Sequence, residues 1–259
     1  PPEVQCPGDI TVCCKDGPVH LAGLEGVSPG GGVFTMRGEP IEEFVPDCSQ
    51  TGNFVITYSY SDPVSLIGNS CSFMITVNDD FTPGEIASSG ETISYNEIPE
   101  EIIGSVVNAS GGNGEISYQW QKSIVSASEG FFDIPLATAP FFAPTDTLVQ
   151  TAWFRRLARD GMCSPEWKVS DGIWEVTVLM VVQGTFSYLN KSLSPLENVK
   201  VGLKKGDSIL FSTTTGEDGH YAFPLVKPGD YQVLASLEAP AGAPINPLDA
   251  GIVNLWGNI

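Results

Sequence analysis

Six cysteines and one run of arginines are the residues of this 259-residue chain whose types and spacing could do chemistry. Cys6, Cys13, Cys14, Cys48 and Cys71 crowd the first third, and Cys163 stands alone beyond them. No Cys-x-x-Cys pair occurs and no cysteine shares zinc-ligand spacing with a histidine, so the thiols point to disulfides and to an oxidising compartment. The vicinal Cys13 and Cys14 read as two ordinary bridges to different partners; a redox switch is the competing chemistry. Arg155, Arg156 and Arg159 form the one basic cluster, a candidate binding patch for an acidic glycan or a partner protein. The structural reading of the same three is cations stacked among aromatic residues on the solvent face of a sheet.

Other catalytic groupings are missing. His20 and His220 sit singly in strand-like runs. Glu42 with Glu43, and Glu100 with Glu101, are adjacent, and adjacent residues of a strand point to opposite faces, a poor start for a paired-carboxylate site. Gly30-Gly31-Gly32 is followed by a strand-like run from Val33 and by no Lys-Ser/Thr, so a turn is expected there and not a phosphate cradle. No nucleophile elbow or metalloprotease motif occurs. The chain reads as no enzyme.

A net charge of −19 with only 12 Lys and Arg argues against nucleic acid and against anionic lipid, both of which must be met by cations. Acidity of this kind keeps a long extracellular protein soluble. Its sharper use is Ca²⁺ at module junctions, where Asp79 and Asp80 are candidate ligands, although no spaced calcium loop of the EF-hand type is present. No other cofactor is expected. No signal peptide or membrane-length apolar run appears, and residues 173–182 are too few to span a bilayer. From its Pro-Pro-Glu start and its stop just after Trp256, the chain reads as a segment of a larger secreted protein.

The elements that must position these residues are strands. Hydrophobic residues make up 42%, Gly and Pro number 28 and 20, and no long stretch carries apolar residues at helical spacing. At the centre Ile116, Tyr118 and Trp120 alternate with Ser117, Gln119 and Gln121, which predicts a strand with Trp120 as core anchor. The aromatic run from Ala152 to Leu157 is its natural facing strand across a sandwich. Upstream, the runs from Phe54 to Tyr60 and from Phe73 to Val77 alternate and would pair as neighbours around the Asp62-Pro63 turn. The run from Asn78 to Gly84 has linker composition. Downstream, strands are expected at 199–203, 209–211, 221–223 and 231–235, separated by Gly- and Asp-containing turns. Past residue 240, Asn246 as N-cap, Pro247 at the first helical position, and Leu248, Ile252 and Leu255 on one face predict a short helix.

The residues also carry resemblances. Cys6-Pro7-Gly-Asp-Ile10-Thr-Val12 with Cys71-Ser-Phe73-Met-Ile75-Thr-Val77 resembles HYR-type and related immunoglobulin-like repeats of bacterial surface proteins. In such repeats a first-strand cysteine bridges a last-strand one, which implies Cys71 paired with Cys6 or with Cys14. Gly111-Gly112-Asn-Gly114, Tyr118-Gln-Trp120-Gln, Phe154-Arg155-Arg156 and Gly161-Met-Cys163 resemble PKD-like or immunoglobulin-like repeats of Bacteroidota adhesins and exoproteins. Members often carry a cysteine where this chain has Ser94 or Tyr95, which implies that Cys163 is free or bridged outside its own module. Gly216-Glu-Asp-Gly219-His-Tyr221-Ala-Phe223, followed by Pro228-Gly229-Asp-Tyr231, resembles carboxypeptidase regulatory-like and collagen-adhesin B-type modules, which are transthyretin-like sandwiches serving as spacers. The stretch 245–255 is similar to the first half of a dockerin repeat that lacks its calcium-loop carboxylates.

The expected architecture is therefore all-β. Three tandem β-sandwich modules, two immunoglobulin-like (1–80 and 81–181) and one transthyretin-like (182–240), precede a short C-terminal helix in a partial dockerin-like segment (241–259). The expected function is a non-enzymatic structural or adhesive stalk of a large secreted or cell-surface bacterial protein, such as a filament or adhesin subunit. The alternative is a glycan- or protein-binding accessory module of an extracellular hydrolase. Expected partners are neighbouring modules of the same protein or like subunits, and glycans or surface proteins, with no nucleic acid and no direct membrane insertion.

Overall fold

The computed structural model describes residues 2–189 and 191–237. The expected C-terminal helix and the dockerin-like segment lie outside the described residues. Within them the chain is all-β, with one turn of 3-10 helix at Leu21–Gly23.

The first unit grows from alternation. In Gly52–Ser61 the side chains of Ile56 and Tyr58 are buried while those of Val55 and Ser59 on either side of the pair are exposed. This strand pairs antiparallel with Gly68–Thr82, Ile56 opposite Phe73 and Tyr58 opposite Cys71, as the two alternating runs predict. Asp62 holds the turn between them: its Oδ1 accepts from the backbone N–H of Val64 at 3.0 Å and of Ser65 at 2.6 Å. Val33–Met36 adds to the far side of Gly52–Ser61, and Ile10–Cys13 joins Gly68–Thr82 in parallel. A small ladder of Val19–His20 with Glu43–Phe44 brings Phe44 against the sheet, and the core gathers Leu21, Phe34, Phe44, Ile56, Phe73, Ile75 and Val77. The triple glycine is the expected turn. The Gly32 N–H donates to the Tyr58 hydroxyl at 2.7 Å, that hydroxyl donates to the Pro29 carbonyl, and a Cβ at Gly32 would overlap the Tyr58 ring.

The second unit is built round Trp120, which is fully buried. Its indole N–H donates to the Ala139 carbonyl at 2.9 Å, and its ring stacks on Phe142 at a centroid distance of 5.8 Å. Ile116–Ser123 pairs antiparallel with Ala152–Asp160 along its whole length. The aromatic run is thus the hydrogen-bonded neighbour of the Trp120 strand in one sheet, a correction to its expected place across the sandwich. Alternation sets which face is apolar and is silent on whether two such faces oppose or adjoin. The layer above Trp120 comes instead from Ile86, Ile103, Leu148 and Phe142, which cover Phe154, Trp174, Val176 and Val178.

The third unit places Lys200–Lys205 between Ser208–Thr214 and Gln232–Ser236. Val201 and Leu203 point inward against Phe186, Leu196, Tyr221, Phe223 and Val226.

The expected linker is a further correction. Residues 78–82 are the end of the 15-residue strand Gly68–Thr82, which pairs with Ile10–Cys13 on one stretch and with Ser110–Gly112 of the second unit on the next. A polar run makes a strand when ladders supply its hydrogen bonds, and here both units supply them. Residues 174–185 repeat the device. The strand Trp174–Thr185 pairs with Glu91–Ser94 and Ala152–Asp160 at its start and with His220–Val226 at its end.

Two outcomes follow from this packing. Trp120→Ala removes the anchor of the second core at a cost of about 3–5 kcal/mol, so calorimetry should lose the second unit's transition and keep the third's. In reducing buffer the first unit's transition should fall while that of the third unit, which holds no cysteine, stays in place.

Candidate functional site

Of the residues singled out for their chemistry, Cys13, Cys163 and Asp80 meet at the junction of the first two units, and Arg156 lies close to it. Ala152–Asp160 explains why: Ala152, Phe154, Arg156, Ala158 and Asp160 are all buried, while Trp153, Arg155 and Arg159 lie on the other face. The arginine patch is therefore split. Arg155 lies over the Phe131 ring at 4.1 Å and donates from Nε to Gln121 Oε1 at 2.7 Å. Arg159 lies over Trp167 at 4.4 Å. Arg156 is fully buried and leaves the candidate binding patch, a correction whose cause is parity: Phe154 faces the core, so the residue two places on must face it too.

A buried guanidinium must be met by oxygen atoms, and no carboxylate meets this one in the described hydrogen bonds. Its Nε donates to Ser170 Oγ at 3.0 Å, Nη1 to the Pro140 carbonyl at 2.9 Å and to Ser105 Oγ, and Nη2 to the Pro83 carbonyl at 3.2 Å. The Tyr118 ring covers it at 4.8 Å, and Ser170 donates to the same Pro83 carbonyl at 2.8 Å. Burial draws the Arg156 pKa below its ordinary value, partly offset by Tyr118. Four separate segments are thus tied to one side chain.

Asp160, four residues on, organises the adjacent loop. Its carboxylate accepts from the backbone N–H of Ser164 at 2.6 Å, of Met162 at 3.1 Å and of Asn113 at 2.8 Å. Burial opposes its ionisation, but the N–H groups of Ser164, Asn113, Met162 and Cys163 outweigh it and hold the pKa below the ordinary value. Gly112, at φ +62°, comes so close to this carboxylate that any Cβ there would overlap it. The tightened loop presents Cys163 to the first unit.

There Cys163 is bonded to Cys13, with Cα atoms 5.5 Å apart. Cys14 bonds Cys48, and Cys6 bonds Cys71. The neighbouring cysteines thus serve different partners, Cys71 takes Cys6, and Cys163 is bridged outside its own unit. Beside the bridge Phe81 from the shared strand packs with Ala109 and Ala158, flanked by Ile116 and Tyr118. Lys15 Nζ reaches Asp80 Oδ2 at 2.5 Å and holds that carboxyl below its ordinary pKa. The candidate calcium ligands do not converge. Asp79 and Asp80 are consecutive in a strand, which turns their carboxylates to opposite faces, and Asp80 is engaged by Lys15. Among the described residues no group of three or more His, Cys, Asp or Glu is placed to hold a metal. Asp160 and Ser170 were not anticipated; the inward parity of Ala152–Asp160 is the signal that reaches Asp160, and none in the sequence reaches Ser170.

Family models match two stretches. Residues 82–178 match a domain of unknown function (DUF8696), and residues 180–239 match the BOS complex subunit NOMO1-like, second beta sandwich domain. None of the curated proteins matches the chain in sequence. Among solved structures, titin domains I67–I69 in an E-to-A mutated variant are similar at 11% identity and a TM-score of 0.45, over 91% of this chain and 93% of that one. The protocadherin gammaB7 EC3-6 cis-dimer structure gives 12% identity and 0.34, over 88% and 66%. Drosophila N-cadherin EC1-4 gives 13% and 0.33, over 86% and 65%.

Arg156→Ala takes one donor from each of two carbonyls and two hydroxyls and opens a cavity beside them, and should cost roughly 3–5 kcal/mol in denaturant unfolding. Arg155→Ala and Arg159→Ala, each losing a surface stack, should cost about 1 kcal/mol or less. The depressed pKa of Asp160 gives stability that is present above the unfolded carboxyl pKa of about 3.9 and is lost as pH falls through the folded value. Unfolding midpoints measured from pH 6 down to pH 2 should therefore drop in the acid range, and Asp160→Asn should flatten that drop.

Proposed function

We propose that this chain is a non-enzymatic structural or adhesive stalk segment of a secreted or cell-surface protein, a series of β-sandwich units that holds another part of the molecule at a distance. The observation that carries the reading is the construction of the junctions. A single strand runs through each boundary, and the first is also closed by a disulfide and a small apolar core, with the arginine cage gripping the chain at Pro83 just past it. Separate binding domains need no such joints, whereas a spacer that must keep its direction does. The buried polar groups at the first junction are occupied with backbone and hydroxyl partners, the signature of a structural joint. Three disulfides support an oxidising compartment. The finer assignment, to the surface repeats of Bacteroidota, rests on the sequence resemblance alone. The partners that suit this role are neighbouring modules of the same protein or like subunits.

Solution scattering tests the reading. A compact globule of this length has a radius of gyration of about 18 Å, and the stalk should exceed it clearly. A value at 18 Å would overturn the proposal.

A further inference from the structure

The disulfides decide which residues a pulling force can reach. We propose that Cys13–Cys163 is a load-bearing shunt: tension between the two ends of the chain passes from Cys13 straight to Cys163 and leaves the residues between them unloaded. The bond closes a loop with a sequence separation of 150, joining Ile10–Cys13 near one end to the loop that follows Ala152–Asp160. Cys14–Cys48 lies wholly inside that loop, and Cys6–Cys71 offers no shorter route, because Cys6 is only a few residues from Cys13. The loaded path is therefore residues 1–13, the sulfur bridge and residues 163–259.

Most of both immunoglobulin-like units lies off that path. Ile116–Ser123 with Trp120, Ala152–Asp160 with Arg156, and nearly all of the first core are held inside the closed loop. Force that melts hydrogen-bonded ladders leaves a covalent bond intact, so these cores cannot be drawn out into extended chain. The third unit is on the path and has no cysteine. Its ladder between Trp174–Thr185 and His220–Val226 therefore carries load with no covalent bond across it. Withholding 150 residues at about 3.5 Å each removes about 500 Å from the extended length.

This deepens the stalk reading and rests on it for its use in the living system. The covalent path does not depend on it.

The experiment is to pull the full chain, tethered at its two ends, in oxidised form, as the Cys13→Ser/Cys163→Ser variant, and in oxidised form with a thiol reductant added under load. In the double variant the shortest route becomes Cys6 to Cys71 and on to residue 163. That route is longer by about 85 residues, so the variant should extend about 300 Å beyond the oxidised parent. Full reduction under load should add about 500 Å. Fully extended length reports the path once a free-thiol count on the variant shows that Cys6–Cys71 has formed. An oxidised chain that reaches the length of the double variant, or that gains nothing on reduction, overturns the shunt. A compact radius of gyration together with an intact length deficit would overturn the stalk and leave the shunt standing.

Discussion

A guanidinium removed from water without a carboxylate at its side can persist only where oxygen atoms are held around it from several directions. Arg156 is in that position, and the requirement propagates outward. The Pro83 carbonyl must stand just past the end of the shared strand, the Pro140 carbonyl must come in from the loop over Trp120, and Ser105 and Ser170 must flank them. Each of these belongs to a segment whose own core residues then have little freedom. The Ile86 layer and the Phe142 layer of the second core are brought over the sheet by the same segments that feed oxygens to Arg156. The cage thus links the packing of one unit to the exit of the chain from the other.

The second level of organisation is continuity of strand. Where a loop joins two sandwiches, their relative orientation depends on side-chain contacts alone. Here Gly68–Thr82 gives backbone hydrogen bonds to both sides of the first boundary, and Trp174–Thr185 does so at the second. Backbone ladders are directional in a way that apolar contacts are not, so orientation is specified by the groups that make the strand. The first boundary adds Phe81, Ala109 and Ala158, with Lys15 and Asp80 at its rim.

Much of the fold was legible because it rests on period-two patterning. Ile56 with Phe73, Trp120, and Val201 with Leu203 all lie where alternation puts them. What escaped depends on partners distant in sequence. Parity alone reveals that Arg156 and Asp160 face inward, but only after Phe154 is taken as the reference, and the cluster of three arginines reads more naturally as one patch. Asn78 to Thr82 looks like a linker because its hydrogen-bond partners, at Cys13, Cys14 and the Ser110–Gly112 strand, cannot be seen from the segment itself. The same holds for Cys163. The missing cysteine at Ser94 or Tyr95 leaves it free or bridged outside its own unit, and only the three-dimensional arrangement selects the bridge and names Cys13.

The neighbouring Cys13 and Cys14 also impose an order in time. Cys14 finds Cys48 and Cys6 finds Cys71 within the first unit, whereas the partner of Cys13 lies 150 residues further on. At a synthesis rate of about 5–20 residues per second, that partner emerges about eight to thirty seconds later. Once Cys48 has emerged and Cys14–Cys48 has closed, a thiol adjacent to a finished bond is positioned to attack it and exchange partners. Cys13 alternates with Val12 and Cys14, which face the first core, so its thiol stays on the outer face of that unit until the loop organised by Asp160 arrives to claim it.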